Sequence, residues 1–323
     1  MAVECSMVRD TEIEITLEAA LNPGQLIQLP DGRAGFLPGT KSYAAGDKVR
    51  LTVMGVVSVA KTSGIVILNG GRVYWKYSTN AATYKKVNSR DFYIGRAADD
   101  AASSATTVLV TLNIDPRYDI DQVFDPFDSV ATGTVAAGGF GLPVPYGASK
   151  ALSLTATNEA QCIDMLSNDK FDVAANAIVE IITRIAANGS TNAVDLNFGV
   201  GNGTSTTDAD AITQHVLFHI DGGATTINAQ SKDGTTTVTA TDTTTTFTAG
   251  SAVANRVEFW LDLRDPTNVK VYVNAVRVLS ATTFTLEKAT GPLALLAHLE
   301  KTSSTATAGP VYVDALRCRF MDQ

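Results

Sequence analysis

The sequence is short of the residues that most chemistry requires. Only 18% of its 323 residues are charged, and it holds three histidines and three cysteines. Cys5, Cys162 and Cys318 are odd in number and scattered, which excludes a disulfide framework and any metal spacing local in sequence. They fit reduced thiols in a chain made in a cytosol. No Gly-Lys dipeptide occurs, which excludes a phosphate-cradling nucleotide loop. Gly139-Phe140-Gly141 and Gly199-Val200-Gly201 lack the third glycine of a dinucleotide fingerprint. No Gly-x-Ser-x-Gly elbow and no Asp-x-Asp-x-Asp-Gly calcium loop is present. No run approaches the ~18 apolar residues that span a bilayer. Residues 1–9 lack the basic start and apolar run of a signal peptide. Neither secretion nor a membrane partner is expected.

Positive charge is also scarce. The net charge is −8, whereas a nucleic-acid surface needs clustered Lys and Arg to displace counterions from phosphates. No nucleic-acid partner is expected. The charge is uneven: residues 1–113 hold 12 basic against 10 acidic residues (+2), and residues 114–323 hold 13 against 23 (−10). Such asymmetry suits a chain in two parts, and the length suits about two domains.

What fills the space is Thr, Ala, Gly, Val and Asn, within an apolar fraction of 45%. That mix favours strands and turns. The reading is all-β, in four segments. Residues 1–19 form an N-terminal arm and a first strand, where Thr11–Leu17 alternates with period two. Residues 20–113 form a small β-barrel domain of short strands cut by glycines. Val49, Leu51 and Val53 face one way there, Gly55 interrupts, and Gly70-Gly71 marks a hairpin turn. Residues 114–128, with five aspartates and two prolines, read as an extended acidic connector. Residues 129–323 read as a two-sheet sandwich.

In that last segment, Val257, Phe259, Leu261 and Leu263 would point inward and Glu258, Trp260 and Asp262 outward. Val269–Val273 and Val276–Val278 form a hairpin across Asn274-Ala275. Alanine tolerates positive φ poorly, so another turn type is expected there. Residues 177–185 fit helical spacing at 178, 181, 182 and 185. Their β-branched side chains and the sandwich context favour a strand. The threonine-rich stretch 233–249 reads as strand–turn–strand.

Two resemblances follow from these phrases. Asn22-Pro23-Gly24, Gly46-Asp47-Lys48-Val49, Gly55-Val56-Val57, Gly70-Gly71-Arg72-Val73-Tyr74-Trp75 and Ile94-Gly95 recur in an order that resembles the small β-barrel of tailed-phage capsid decoration (cement) proteins. Val216–Gly223, the Val269–Val278 hairpin and the closing 311–320 strand resemble concanavalin and laminin-G type jelly rolls. Together they imply a small N-terminal β-barrel decoration domain followed by a C-terminal two-sheet jelly-roll sandwich. The first resemblance implies a non-enzymatic virion structural protein on the outer surface of an assembled phage head. It would bind the major capsid protein, bridge capsomers, and associate with itself, as a homotrimer in that family. Arg50, Arg72 and Trp75 are the candidate capsid or subunit contacts.

Chemistry has few candidates. His215 and His219 share a strand face about 13–14 Å apart, too far for one metal ion. Glu258, Trp260 and Asp262 are a candidate glycan or partner contact. The two carboxylates are about 13 Å apart, beyond the 5–9.5 Å of a glycosidase pair. The expectation is no enzyme, no cofactor and no metal. The alternative is a host-surface-glycan-binding module of a head or tail fibre, with Trp260 as its stacking platform.

Overall fold

A computed structural model describes residues 11–121, 127–128, 131–132, 144–146 and 149–321. The chain divides into two compact units, 1–117 and 118–323. Nearly all described secondary structure is antiparallel strand, with two short 3-10 turns. Among the described residues no helix is long and apolar enough to cross a membrane.

The first unit contains two open sheets where one small closed barrel is expected. The four-stranded sheet runs Glu12–Thr16, Lys48–Thr52, Ala34–Phe36, Leu26–Gln28. The alternating stretch near the N-terminus is therefore part of this sheet, with Ile13 opposite Leu51 and Ile15 opposite Val49. Leu17, Leu21, Leu29, Leu37, Val49, Leu51 and Val53 pack beneath it. The five-stranded sheet runs Val56–Ala60, Thr107–Leu112, Phe92–Ala97, Arg72–Lys76, Ala81–Thr83. Trp75 fills its core with Val73, Phe92, Ile94, Val108 and Val110. Asn113, at φ 55°, ties the sheets together. Its amide donates to Ala34 O (2.9 Å) and Val53 O (2.8 Å) and accepts from Ala34 N (2.8 Å).

The hairpin expected at Gly70-Gly71 is absent. Gly70, at φ 72°, makes a turn, but Arg72–Lys76 pairs with Phe92–Ala97 and Ala81–Thr83. Long-range pairing with apolar partners outweighs the local turn signal. Gly95, at φ 145°, sits at a register shift in that pairing.

The second unit is a sandwich. One sheet runs Val144–Tyr146, Ser149–Leu154, Ala308–Phe320, Ala177–Ile185, Val257–Asp262, Lys270–Val273, Val276–Val278. The other runs Phe127–Asp128, Glu159–Ser167, Ala294–Ser304, Val194–Gly201, Gln214–Asp221, Thr226–Asp233, Thr237–Thr246. The chain crosses repeatedly between the sheets, in the manner of a jelly roll. Residues 177–185 form a strand, as β-branching favours. The threonine-rich stretch opens on the last residue of the Thr226–Asp233 strand, turns at 234–236, where Thr235 N and Thr236 N donate to Asp233 Oδ1, and continues as Thr237–Thr246, one strand that absorbs two register shifts. The expected connector lies outside the described residues at 122–126, as does the sandwich sequence at 129–130, 133–143 and 147–148.

Phe259 centres the sandwich core. Its ring stacks on Phe198 at 5.5 Å and lies 4.7 Å from Phe218. The alternation expected for 257–263 is present, but the expected exposure is not. Glu258, Trp260 and Asp262 lie on the face away from the core and are nevertheless buried, Trp260 to 6% exposure. Long side chains lie down over that face. Arg264 pairs with Asp262 at 2.8 Å, and the Tyr272 ring sits 6.3 Å from Trp260. The Asn274-Ala275 turn also differs from expectation. Both residues adopt positive φ (51° and 63°), the backbone of a type I′ turn, despite the alanine.

Candidate functional site

In the first unit the outer face of the five-stranded sheet has the character of an interface. Its inward positions are Val57, Val59, Trp75, Val73, Phe92, Ile94, Val108 and Val110, all buried. Strand alternation then sends the intervening residues outward. At the edge, Val56 (58% exposed) and Leu109 (43%) stand among Ser58, Ala60, Thr107 and Thr111. Towards the other edge the same face carries Arg96, Arg72, Tyr74, Tyr93 and Lys76. Tyr74 and Tyr93 meet edge to face at 5.5 Å. Tyrosine and arginine beside exposed aliphatics is the composition of protein–protein contacts.

The three expected contact residues do not come together. Arg72 lies on this face. Trp75 lies on the opposite face, 1% exposed, and has no surface to offer a partner. Its phrase reads as surface-like only because an isolated strand does not show which side is covered. Arg50 is exposed on the other sheet, 3.6 Å from Glu14.

The second unit holds a polar tract that sequence reading misses. It lies on the outer face of the sheet containing Val194–Gly201, opposite the core residues Ile163, Leu196, Ile220 and Leu299. Register places Asp164, His298, Asn197, His219 and Asn228 in one cross-strand row. Cys162, Glu300, Asp195 and Asp221 form the next row. Residues 202–213 fold back over one end of this face. There Ala209 and Ile212 pack on Leu166, Leu217, Ala294 and Leu296.

Under that segment the tract is buried. His298 Nδ1 meets Asp164, and its Nε2 is 2.7 Å from Glu300 Oε2. Thr204 donates to Asp164, Cys162 Sγ donates to Ser205 O at 3.2 Å, and Ala209 N donates to Glu300 Oε1 at 3.2 Å. Burial alone would lower the His298 pKa. The hydrogen bonds to Asp164, Cys162 and Glu300 outweigh it and hold the ring protonated, well above its ordinary 6.5. Burial pushes Asp164 up, opposed by His298, and burial likewise raises the Cys162 thiol. Such a thiol is no nucleophile.

Further along, the tract opens to solvent. His219 Nδ1 is 2.9 Å from Asn197 Oδ1, and Nε2 is 3.2 Å from Asp221 and 3.9 Å from Asp195. Burial raises the Asp195 carboxyl to about 6; His219 opposes this, and Glu300, Asp221 and Asp208 add to it. His215, pointed elsewhere along the strand, contacts Ile212 O through Nδ1 at 2.9 Å.

With the geometry in place, comparison with known proteins separates the two units. Residues 7–112 match the family described as phage cement protein. The match covers the whole of both first-unit sheets and none of the sandwich. No curated protein sequence matches the chain. Among solved structures, the Emp47p carbohydrate recognition domain is similar at 11% identity and TM-score 0.39, covering 62% of this chain and 94% of that one. A glycoside hydrolase family 16 endo-glucanase from Bacteroides ovatus is similar at 10% identity and TM-score 0.39, covering 60% and 94%. LamAcat from Zobellia galactanivorans is similar at 13% identity and TM-score 0.35, covering 49% and 68%. Likenesses this distant say nothing about ligand or activity.

Proposed function

We propose that this chain is a non-enzymatic capsid decoration protein. It binds the outer surface of an assembled tailed-phage head, after synthesis in the host bacterial cytoplasm, and bridges neighbouring capsomers. The observation that carries this reading is the phage cement match over residues 7–112. The outer face of the five-stranded sheet, with Val56, Leu109, Arg72, Arg96 and Tyr74, is its docking surface for the major capsid protein. The mechanism is linkage: a ligand that binds only the expanded shell stabilises that shell by mass action. Self-association, as a trimer around a local symmetry axis, would add avidity from simultaneous contacts.

The test mixes the full chain with expanded undecorated shells and with procapsids, followed by sedimentation. Binding to expanded shells, weakened at least tenfold by Leu109→Asp or Arg72→Glu in folded protein, is the expected result. A chain that sediments with neither particle refutes the proposal. Glycan binding through Trp260, the other reading, has no exposed ring to stack on.

A further inference from the structure

The two outer faces of the sandwich answer their carboxylates differently. On the sheet holding Val257–Asp262, arginines do so. Asp314 has Arg184 and Arg256, Asp262 has Arg264, Glu180 has Arg319 and Asp121 has Arg317. On the other sheet, among the described residues, neither Asp195 nor Asp221 has a lysine or arginine within ion-pair distance. Their ion-pair partner among those residues is His219.

The backbone fixes this grouping. Asp195 and Asp221 are direct cross-strand partners, and Asn197 and His219 are the pair two residues along on the same face. An amide oxygen only accepts, so the 2.9 Å contact to Asn197 Oδ1 requires the proton on His219 Nδ1. In the neutral ring Nε2 is then a lone pair, and it faces Asp221 Oδ1 and Asp195 Oδ1. One ligand atom from each of the three residues lies within 4.8 Å of the others. Three converging acceptors, two of them anionic, suit a cation between them.

We propose that Asp195, His219 and Asp221 bind a divalent transition-metal ion of the zinc class. One imidazole nitrogen and two carboxylate oxygens are donors that zinc takes, at about 2.0–2.2 Å. Calcium is disfavoured, because it takes about six to eight oxygen ligands. Asn197 is the outer group that fixes the tautomer and aims the ring, as partners of metal-bound histidines do. Side-chain exposures of 14% for His219, 30% for Asp195 and 48% for Asp221 leave a coordination position open to water or an external ligand. The neighbouring Cys162, Asp164 and His298 also converge. There both imidazole nitrogens already face carboxylates and the ring is sealed from solvent, so the protonated ring itself is the cation.

The test is calorimetric titration of the full chain, stripped with a chelator, with zinc chloride near pH 7. One ion per chain is expected. His219→Gln and Asp221→Asn should abolish binding, Asn197→Ala should weaken it by about 10–100-fold, and Cys162→Ser should leave it unchanged. Circular dichroism confirms that each variant is folded. Cobalt substitution should give a visible spectrum without a thiolate-to-cobalt charge-transfer band. No saturable zinc binding by the folded wild type overturns the proposal, which would leave Nε2 simply protonated. Zinc binding that survives in both His219→Gln and Asp221→Asn, or that is lost with Cys162→Ser, also overturns it. Equal affinity for calcium chloride overturns the metal class.

Discussion

His298→Gln tests whether one imidazolium holds the buried end of the polar tract together. Glutamine keeps a polar side chain but removes the cation between Asp164 and Glu300. Removing one partner of a buried ion pair costs about 3–5 kcal/mol, because the remaining charge has neither partner nor water. Here two carboxylates share one ring, so a loss of at least ~3 kcal/mol is expected near pH 7, roughly a hundredfold in the folded-to-unfolded ratio. The pH dependence is the sharper signature. The wild-type ring holds its proton more tightly folded than at its ordinary 6.5. Its contribution is complete below that ordinary value and fades as pH rises through the higher folded one. In the variant, Asp164, whose carboxyl burial already pushes up, escapes by protonating as pH falls. The gap between the two proteins should therefore be widest near neutrality and narrow on both sides. Because the chain has two compact units, a global signal would mix two transitions. Hydrogen exchange of the Ala294–Ser304 strand in urea gives the local readout. A loss under ~1 kcal/mol near neutrality, or a loss that is flat from about pH 5 to 9, would refute the reasoning.

Other expectations follow from packing. Gly95→Ala places a Cβ 2.0 Å from Thr111 O at φ 145°, and should destabilise the first unit by about 3 kcal/mol or more, read as a lowered melting temperature. Asp314→Ala strands Arg184, whose side chain is 8% exposed, and should cost about 3–5 kcal/mol. Arg256→Ala, at a side chain 40% exposed, should cost less than ~1 kcal/mol, both variants being read by hydrogen exchange of the Ala308–Phe320 strand in urea. Phe259→Ala empties the centre of the Phe198–Phe259–Phe218 stack and should cost about 3–5 kcal/mol.

Strand identity was legible in the sequence because burial leaves a period of two. Val49, Leu51 and Val53 in one unit and Val257, Phe259 and Leu261 in the other face inward as the alternation predicts. Exposure was not legible, because alternation tells which face a residue is on and not what covers that face. Trp75 points into the first-unit core, and Trp260 points away from the sandwich core yet is covered by neighbouring long side chains. The closed barrel fails for a related reason. Short glycine-cut strands suit a barrel or two open sheets equally, and which strands pair is decided by contacts far apart in sequence, such as Trp75 with Phe92.

The polar tract does leave a pattern in the sequence. Cys162-Ile163-Asp164, Asp195-Leu196-Asn197, His219-Ile220-Asp221 and His298-Leu299-Glu300 each flank one aliphatic residue with two polar ones. In a strand, that aliphatic residue goes to the core and both polar neighbours go to the other face. One such triplet is an ordinary half-exposed strand. Four in one sandwich, on strands that pair side by side, must crowd eight polar groups onto one surface. A search for metal spacing within a single strand correctly finds His215 and His219 too far apart. It cannot find His219 beside Asp195, because their separation is set by the register between strands, where direct partners stand about 5 Å apart. The ligand-type side chains are local pairs in sequence, and only the antiparallel register makes them a cluster.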